Sequence, residues 1–234
     1  MFRRSLRPAR AVTTTEHFPK MTALARHKRA AIAEGRVLLR GVSWKTYERL
    51  LDEHSESAGP RFTYDDGLLE IVTLAIEHED PNRTLASLVE LILVEWDVDF
   101  RRAGSNTFKS AELQKGFEPD TSFYIAHTAA VRGRKRLDLA VDPPPDLVIE
   151  IEVTEPLLPR LPVLAALRVP EIWLCEGATV HILRLDRAHY REVKRSSALA
   201  PLTAEVIGGF LRRSVKMKSL AWARAVREWA QAHH

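Results

Sequence analysis

Two segments carry acids where apolar strands are expected: GFEPDTSFYI, with Asp120, and PPPDLVIEIEV, with Asp146, Glu150 and Glu152. Taking a carboxylate out of water costs roughly several kcal/mol, so an acid inside such a run must be paired, protonated or bound to a cation. Alternate residues of a strand share a face, which sends Asp146, Val148, Glu150 and Glu152 one way and Leu147, Ile149, Ile151 and Val153 the other. If the strand that begins at Asp120 runs beside this one, three carboxylates converge on one point. That is the hard-oxygen environment preferred by Mg²⁺ or Mn²⁺. A plainer reading of the same residues puts Glu150 or Glu152 at a strand end or against an arginine, and Pro-Asp is also a common turn opener.

The elements that must hold these acids are legible in the pattern of apolar residues. Ser43 stands where an N-cap would, before WKTYERLLDEH with its apolar residues at helical spacing. RFTY and LLEIVTL flank Asp66-Gly67, which predicts a β-hairpin. From Pro81 to Trp96 the residues Leu85, Leu88, Val89, Ile92, Leu93 and Trp96 form one helical stripe. An extended segment at 105–109, a polar turn ending at Gly116 and the strand DTSFYI follow, with VRGRKR as a basic loop. DLVIEIEV reads as the centre of a sheet covered by helices. LPRLPVLAALRV predicts a helix entered through Pro159 and Pro162, and VPEIWLCEG and ATVHILRL two strands about Glu176-Gly177. The remainder reads as a polar loop and two amphipathic helices, 204–212 and 219–231.

Composition bounds the class. The 234 residues are 45% hydrophobic and 28% charged, which suits one core with tails. The longest apolar runs fall short of the roughly 20 residues that span a bilayer. Cys175 is the only cysteine, which excludes an intramolecular disulfide and a cysteine-rich zinc site and suits a reducing cytoplasm. Net charge is +4, yet the first 40 residues hold ten Lys and Arg against Glu16 and Glu34. Such an arm either contacts phosphates or is a solvated leader. Its Arg-rich opening also has the look of a transit peptide, or of an over-extended start upstream of Met21.

The series GVSWKTYERLL, RFTYDDGLLEI, EHED, GFEPDTSFYI, DPPPDLVIEIEVT and RLPVLAALRVPEIW resembles, in order and spacing, the Uma-type putative restriction endonuclease family over roughly residues 41–212. The resemblance implies an α/β, PD-(D/E)xK restriction-endonuclease-like fold: a mixed central sheet flanked by helices, with a divalent-metal site at one edge. With the basic arm set at 1–38 and the C-terminal amphipathic helix at 214–234, the nuclease-like domain is expected over 39–213. Position by position, Asp120 matches the metal-bridging acid and Glu150 the acid of the following strand. Glu152 falls where the superfamily has its lysine, and Arg160, downstream in the helix, stands in for that base, with Lys109 as a second candidate. Glu79 matches an acidic helix position that completes the metal shell. His78 contacts the nucleophilic water or caps the helix. Where the family usually reads Thr-Ser-x-Ser the chain has Thr154, Glu155, Pro156 and Leu157, and it also departs at Leu164 and Arg168, where a Tyr and a Gly are usual.

The chemistry so implied is Mg²⁺- or Mn²⁺-assisted hydrolysis of DNA phosphodiester bonds in a cytoplasmic chain, with a homodimer as the implied assembly. Arg160 is always protonated and so serves as an electrostatic clamp, whereas Lys109 could also move a proton. Arg132, Arg134, Lys135, Arg136, Arg212 and Arg213 are candidates for backbone contacts to DNA, with a solvated loop as the alternative for the first four. Two rivals stand beside this reading: a catalytically weak or inactive DNA-binding or partner-binding module, and a hydrolase acting on RNA or a nucleotide. No Gly-x-Ser-x-Gly elbow and no Gly-x-x-x-x-Gly-Lys loop occurs in the sequence.

Overall fold

The computed structural model describes residues 35–54, 60–73 and 76–234, without the side chains of residues 76–78. The basic arm up to residue 34 and the side chain of His78 therefore lie outside the described residues.

The chain opens with β1 (Gly35–Arg40), α1 (Trp44–His54), β2 (Arg61–Asp65) and β3 (Leu68–Thr73). There follow α2 (Ile76–Glu95), β4 (Arg101–Arg102), β5 (Phe108–Ser110), β6 (Lys115–Phe117), β7 (Thr121–Tyr124) and α3 (Thr128–Val131). The second half holds β8 (Leu147–Glu152), α4 (Arg160–Ala166), β9 (Glu171–Glu176), β10 (Thr179–Asp186), β11 (His189–Val193), α5 (Ala204–Ser214) and α6 (Ser219–Gln231). These form a mixed α/β fold with two sheets, ordered β1-β3-β2-β6-β5 and β11-β10-β9-β8-β7-β4. The first is antiparallel throughout, and the second is mixed because β8 and β9 run parallel, joined through α4.

The expected single central sheet is thus accompanied by a second one. The Asp66-Gly67 turn has φ of 40° and 88°, the left-handed pair that a two-residue hairpin needs. Helix α2 begins five residues before the expected Pro81, which therefore sits inside the helix and removes one backbone bond there. Three elements differ from expectation. Residues 35–40, counted in part with the basic arm, pair with β3 from Gly35↔Thr73 to Arg40↔Leu68, so the arm boundary at 38 falls within a strand. The turn ending at Gly116 is instead the start of β6, and His189–Val193, read as loop, extends β10 as a hairpin.

Strand β8 is the hub. Its odd residues Leu147, Ile149 and Ile151 pack with Leu85, Leu88 and Ile92 of α2 and with Phe210 and Trp222 of the last two helices. Its even residue Val148 packs with Phe108 and Phe117 of the first sheet and Val163 and Leu164 of α4. The period of two seen in the sequence thereby assigns Glu150 to the face that looks at α4 and the first sheet.

Candidate active site

Strands β7 and β8 pair antiparallel, with Thr121 opposite Ile149 and Ser122 opposite Val148. One step further in the same register sets Asp120 opposite Glu150, and opposed residues of an antiparallel pair share a face. The Oδ2 atom of Asp120 accepts the Ile151 amide N–H at 2.8 Å, while Asn82 of α2 donates Nδ2 to the Asp120 carbonyl at 3.1 Å. Both acids are buried, Asp120 at 5% and Glu150 at 3% exposure. Thirty residues of sequence are closed by one strand pair.

Arg160, the first residue of α4, reaches back to this pair. Its Nη1 donates to Glu150 Oε2. Burial alone would lower its pKa, but the charges of Glu150, Asp120 and Glu70 outweigh that, so it is held above its ordinary value.

Glu70, which the sequence reading did not single out, is fully buried in β3. Its Oε1 accepts from Arg36 Nη1 at 3.1 Å and from the Leu157 amide at 2.8 Å, and its Oε2 lies 3.8 Å from Arg160 Nε. Arg36 also donates Nε to Thr154 Oγ1 at 2.7 Å and Nη2 to the Thr154 carbonyl at 3.1 Å. The segment between β8 and α4 is therefore clamped to the first sheet at Thr154 and at Leu157, on either side of Glu155 and Pro156. Three carboxylates, Asp120, Glu150 and Glu70, face two guanidinium groups, Arg36 and Arg160. This leaves one negative charge more than these arginines balance. An acid within the apolar run LLEIVTL is the same signal that marked Glu150, and it was there to be used for Glu70.

A cleft of about 940 Å³ opens beside these groups, lined by Glu150, Glu152, Arg160, Leu164, Ile172 and Glu176 among others. Glu152 pairs with Glu176 in the β8–β9 register. Burial first, and the Glu176 charge second, raise its carboxyl above the ordinary range, against the attraction of Arg160 and Arg36. Asp146, on the same pleat, serves the backbone: its Oδ2 accepts the amides of Ile125 and His127 at 2.7 and 3.0 Å, and its Oδ1 meets His127 Nδ1 at 2.5 Å.

Two other predicted residues are engaged elsewhere. Lys109 Nζ bonds Glu48 Oε1 of α1 at 2.8 Å and lies over the Trp44 ring. Glu79 bonds Arg83 one turn along α2 at 2.7 Å. In the VRGRKR loop Arg132 pairs with Asp99, and Arg134 with Asp142 at 3.4 Å, while Lys135 and Arg136 are exposed. Of the family departures, Leu164 fills the core, and Arg168 takes the left-handed φ of 64° that suits a glycine, with Nη1 donating to the Arg187 carbonyl at 2.7 Å.

Among the described residues no group of three His, Cys, Asp or Glu side chains gathers closely enough to hold an ion. Two carboxylates suffice for Mg²⁺, which keeps several waters and takes its other ligands from substrate phosphates. Asp120 and Glu150 fit that requirement, and the Arg160 guanidinium on Glu150 shows that this carboxylate already receives a cation.

No curated protein matches the chain. Among solved structures it is similar to the crystal structure of a putative nuclease belonging to DUF820 from Anabaena variabilis, at 15% identity and a TM-score of 0.47, covering 69% of this chain and 98% of that one. The model of the Uma2 family, described as a putative restriction endonuclease, matches residues 44–215, and the chain belongs to that family.

Proposed function

We propose that the chain hydrolyses DNA phosphodiester bonds with Mg²⁺ or Mn²⁺ held by Asp120 and Glu150. The observation that carries this reading is the meeting of these two buried acids, one just before β7 and one within the adjacent β8, with Arg160 against them. Such an ion, when bound, lowers the pKa of a coordinated water and offsets charge on the phosphate oxygens. Asp120 is oriented for this by the Ile151 amide. Arg160 donates N–H groups to the non-bridging phosphate oxygens as the water oxygen bonds to phosphorus and the bond to the leaving oxygen breaks. Glu152, whose carboxyl is raised above the ordinary range by burial and then by the Glu176 charge, accepts the water's proton. Lys109, tied to Glu48, takes no part in this scheme, and Glu79, paired with Arg83, remains a candidate only if that exposed pair opens. His78, whose side chain lies outside the described residues, is a further candidate carried by the resemblance alone.

Backbone contacts to DNA fall to the exposed Lys135, Arg136, Arg212 and Arg213 and to the arm. Among the described residues no helix is long and apolar enough to cross a membrane, and the buried single cysteine supports a cytoplasmic setting. A homodimer is the proposed assembly for duplex cutting. Arg160 in place of a lysine favours a second reading, a nuclease fold that binds DNA with weak turnover. Asp120→Ala and Glu150→Ala separate the two: a nuclease loses metal-dependent cleavage and keeps DNA binding, whereas a binding module is indifferent to both substitutions.

A further inference from the structure

Glu70 Oε2 and Arg160 Nε are both buried polar atoms without a hydrogen bond, and they face each other at 3.8 Å. A buried carboxylate oxygen left in that condition is costly unless the structure has a use for it. The other Glu70 oxygen is fixed by Arg36 and the Leu157 amide, so the side chain cannot turn to satisfy Oε2 elsewhere. Arg160, meanwhile, spends Nη1 on Glu150 Oε2, the carboxylate assigned to the metal. A cation on Glu150 and a guanidinium on the same carboxylate repel each other, and Arg160 must yield. A shift of its head by about 1 Å towards Glu70 turns the 3.8 Å approach into a hydrogen bond of ordinary length.

We propose that Glu70 is a positioning residue that takes Arg160 over from Glu150 when a divalent cation enters. Arg160 closes the acid pair in the empty site and is handed to Glu70 in the loaded one. This keeps its charge beside the phosphate rather than expelling it into solvent. Arg36 and Thr154 hold Glu70 and the α4 entry in place, so the handover moves one side chain and no backbone. The proposal rests on the metal-binding part of the function above and is silent on the substrate.

The test reads metal binding, not cleavage. Mn²⁺ is titrated calorimetrically into the full chain and into Glu70→Gln, Arg160→Met and the double variant, with Asp120→Asn to locate the ion. Glu70→Gln is expected to weaken Mn²⁺ binding about tenfold when Arg160 is present, the scale on which outer partners act on metal ligands. With Arg160→Met the same change has a much smaller effect, because no guanidinium needs a second partner. Should Glu70→Gln fail to fold, Arg160→Met alone decides the matter: it must tighten Mn²⁺ binding, since the competitor for Glu150 is gone. An equal loss in both backgrounds, no tightening in Arg160→Met, or a Mn²⁺ titration that Asp120→Asn leaves unchanged overturns the handover. Mn²⁺ binding with this coupling but without DNA cleavage refutes the nuclease reading and leaves the handover standing.

Discussion

Replacing Arg160 by Met probes the charge cluster without opening a large cavity, because Met fills much of the apolar stem's volume. The Arg160 side chain is 14% exposed, that of Glu150 4% and that of Glu70 0%. Removing one member of so buried an ion network costs about 3–5 kcal/mol, because the carboxylates stay in the interior without that guanidinium. Against a typical total of about 5–15 kcal/mol this is a large fraction. The reasoning predicts a sign change for a second substitution. Glu150→Gln in the natural chain costs about 1–3 kcal/mol, since Arg160 loses its bonded carboxylate and keeps the charge of Asp120 and the 3.8 Å approach to Glu70. In the Arg160→Met background the same change removes a buried charge that has lost its closest counter-charge, and it restores about 1 kcal/mol or more. Equilibrium urea unfolding, followed by tryptophan fluorescence and far-UV circular dichroism in metal-free buffer, measures all four corners of the cycle. Costs that add to within about 0.5 kcal/mol would refute the claim that these residues act as one electrostatic unit.

Three further outcomes follow from single positions. Glu152 has its carboxyl raised in the fold by burial and by Glu176, so the folded chain binds that proton more tightly than the unfolded one. Its contribution favours folding below the ordinary carboxylate range and is lost as pH rises through the raised value; Glu152→Gln should raise the melting temperature at pH 8 and leave it unchanged near pH 4. Arg168 holds a φ of 64° at an exposed position, and Arg168→Gly relieves that strain for a net gain of about 0.5–1 kcal/mol after loss of the Arg187 contact, read as a rise in the urea midpoint. A Cβ on Gly116 would lie 2.3 Å from Tyr47 Oη, and Tyr47 is fully buried, so Gly116→Ala should cost about 1–3 kcal/mol in the same assay.

Elements with a strong period were legible from the residues alone. The α2 stripe, the Asp66-Gly67 hairpin, β8 and the two C-terminal helices each bury one face against the core, and that burial is what writes the period into the sequence. β1 was hidden because its partly exposed strand sits between Arg36 and Arg40, where charge count suggests a tail, although its ladder is satisfied by β3. β11 was hidden for a similar reason, since HYREV is largely exposed and owes its shape to β10. Asp120 and Glu150 could be singled out because Asp120 opens one apolar strand and Glu150 lies within another, and the resemblance to the family links the two positions. Lys109 illustrates the limit: a lysine near an acidic strand has no preferred partner until tertiary packing supplies one, and here α1 supplies Glu48. Glu70 carried the right signal, but its role depends on Arg36, Leu157 and Arg160, which come from three separate parts of the chain.

Cleavage of supercoiled plasmid by the purified chain tests the central claim most directly. The account predicts nicking or linearisation in Mg²⁺ or Mn²⁺, its loss in excess EDTA, and its loss in both Asp120→Ala and Glu150→Ala while each still binds DNA. Cleavage that persists in excess chelator, or that survives both substitutions, would contradict it.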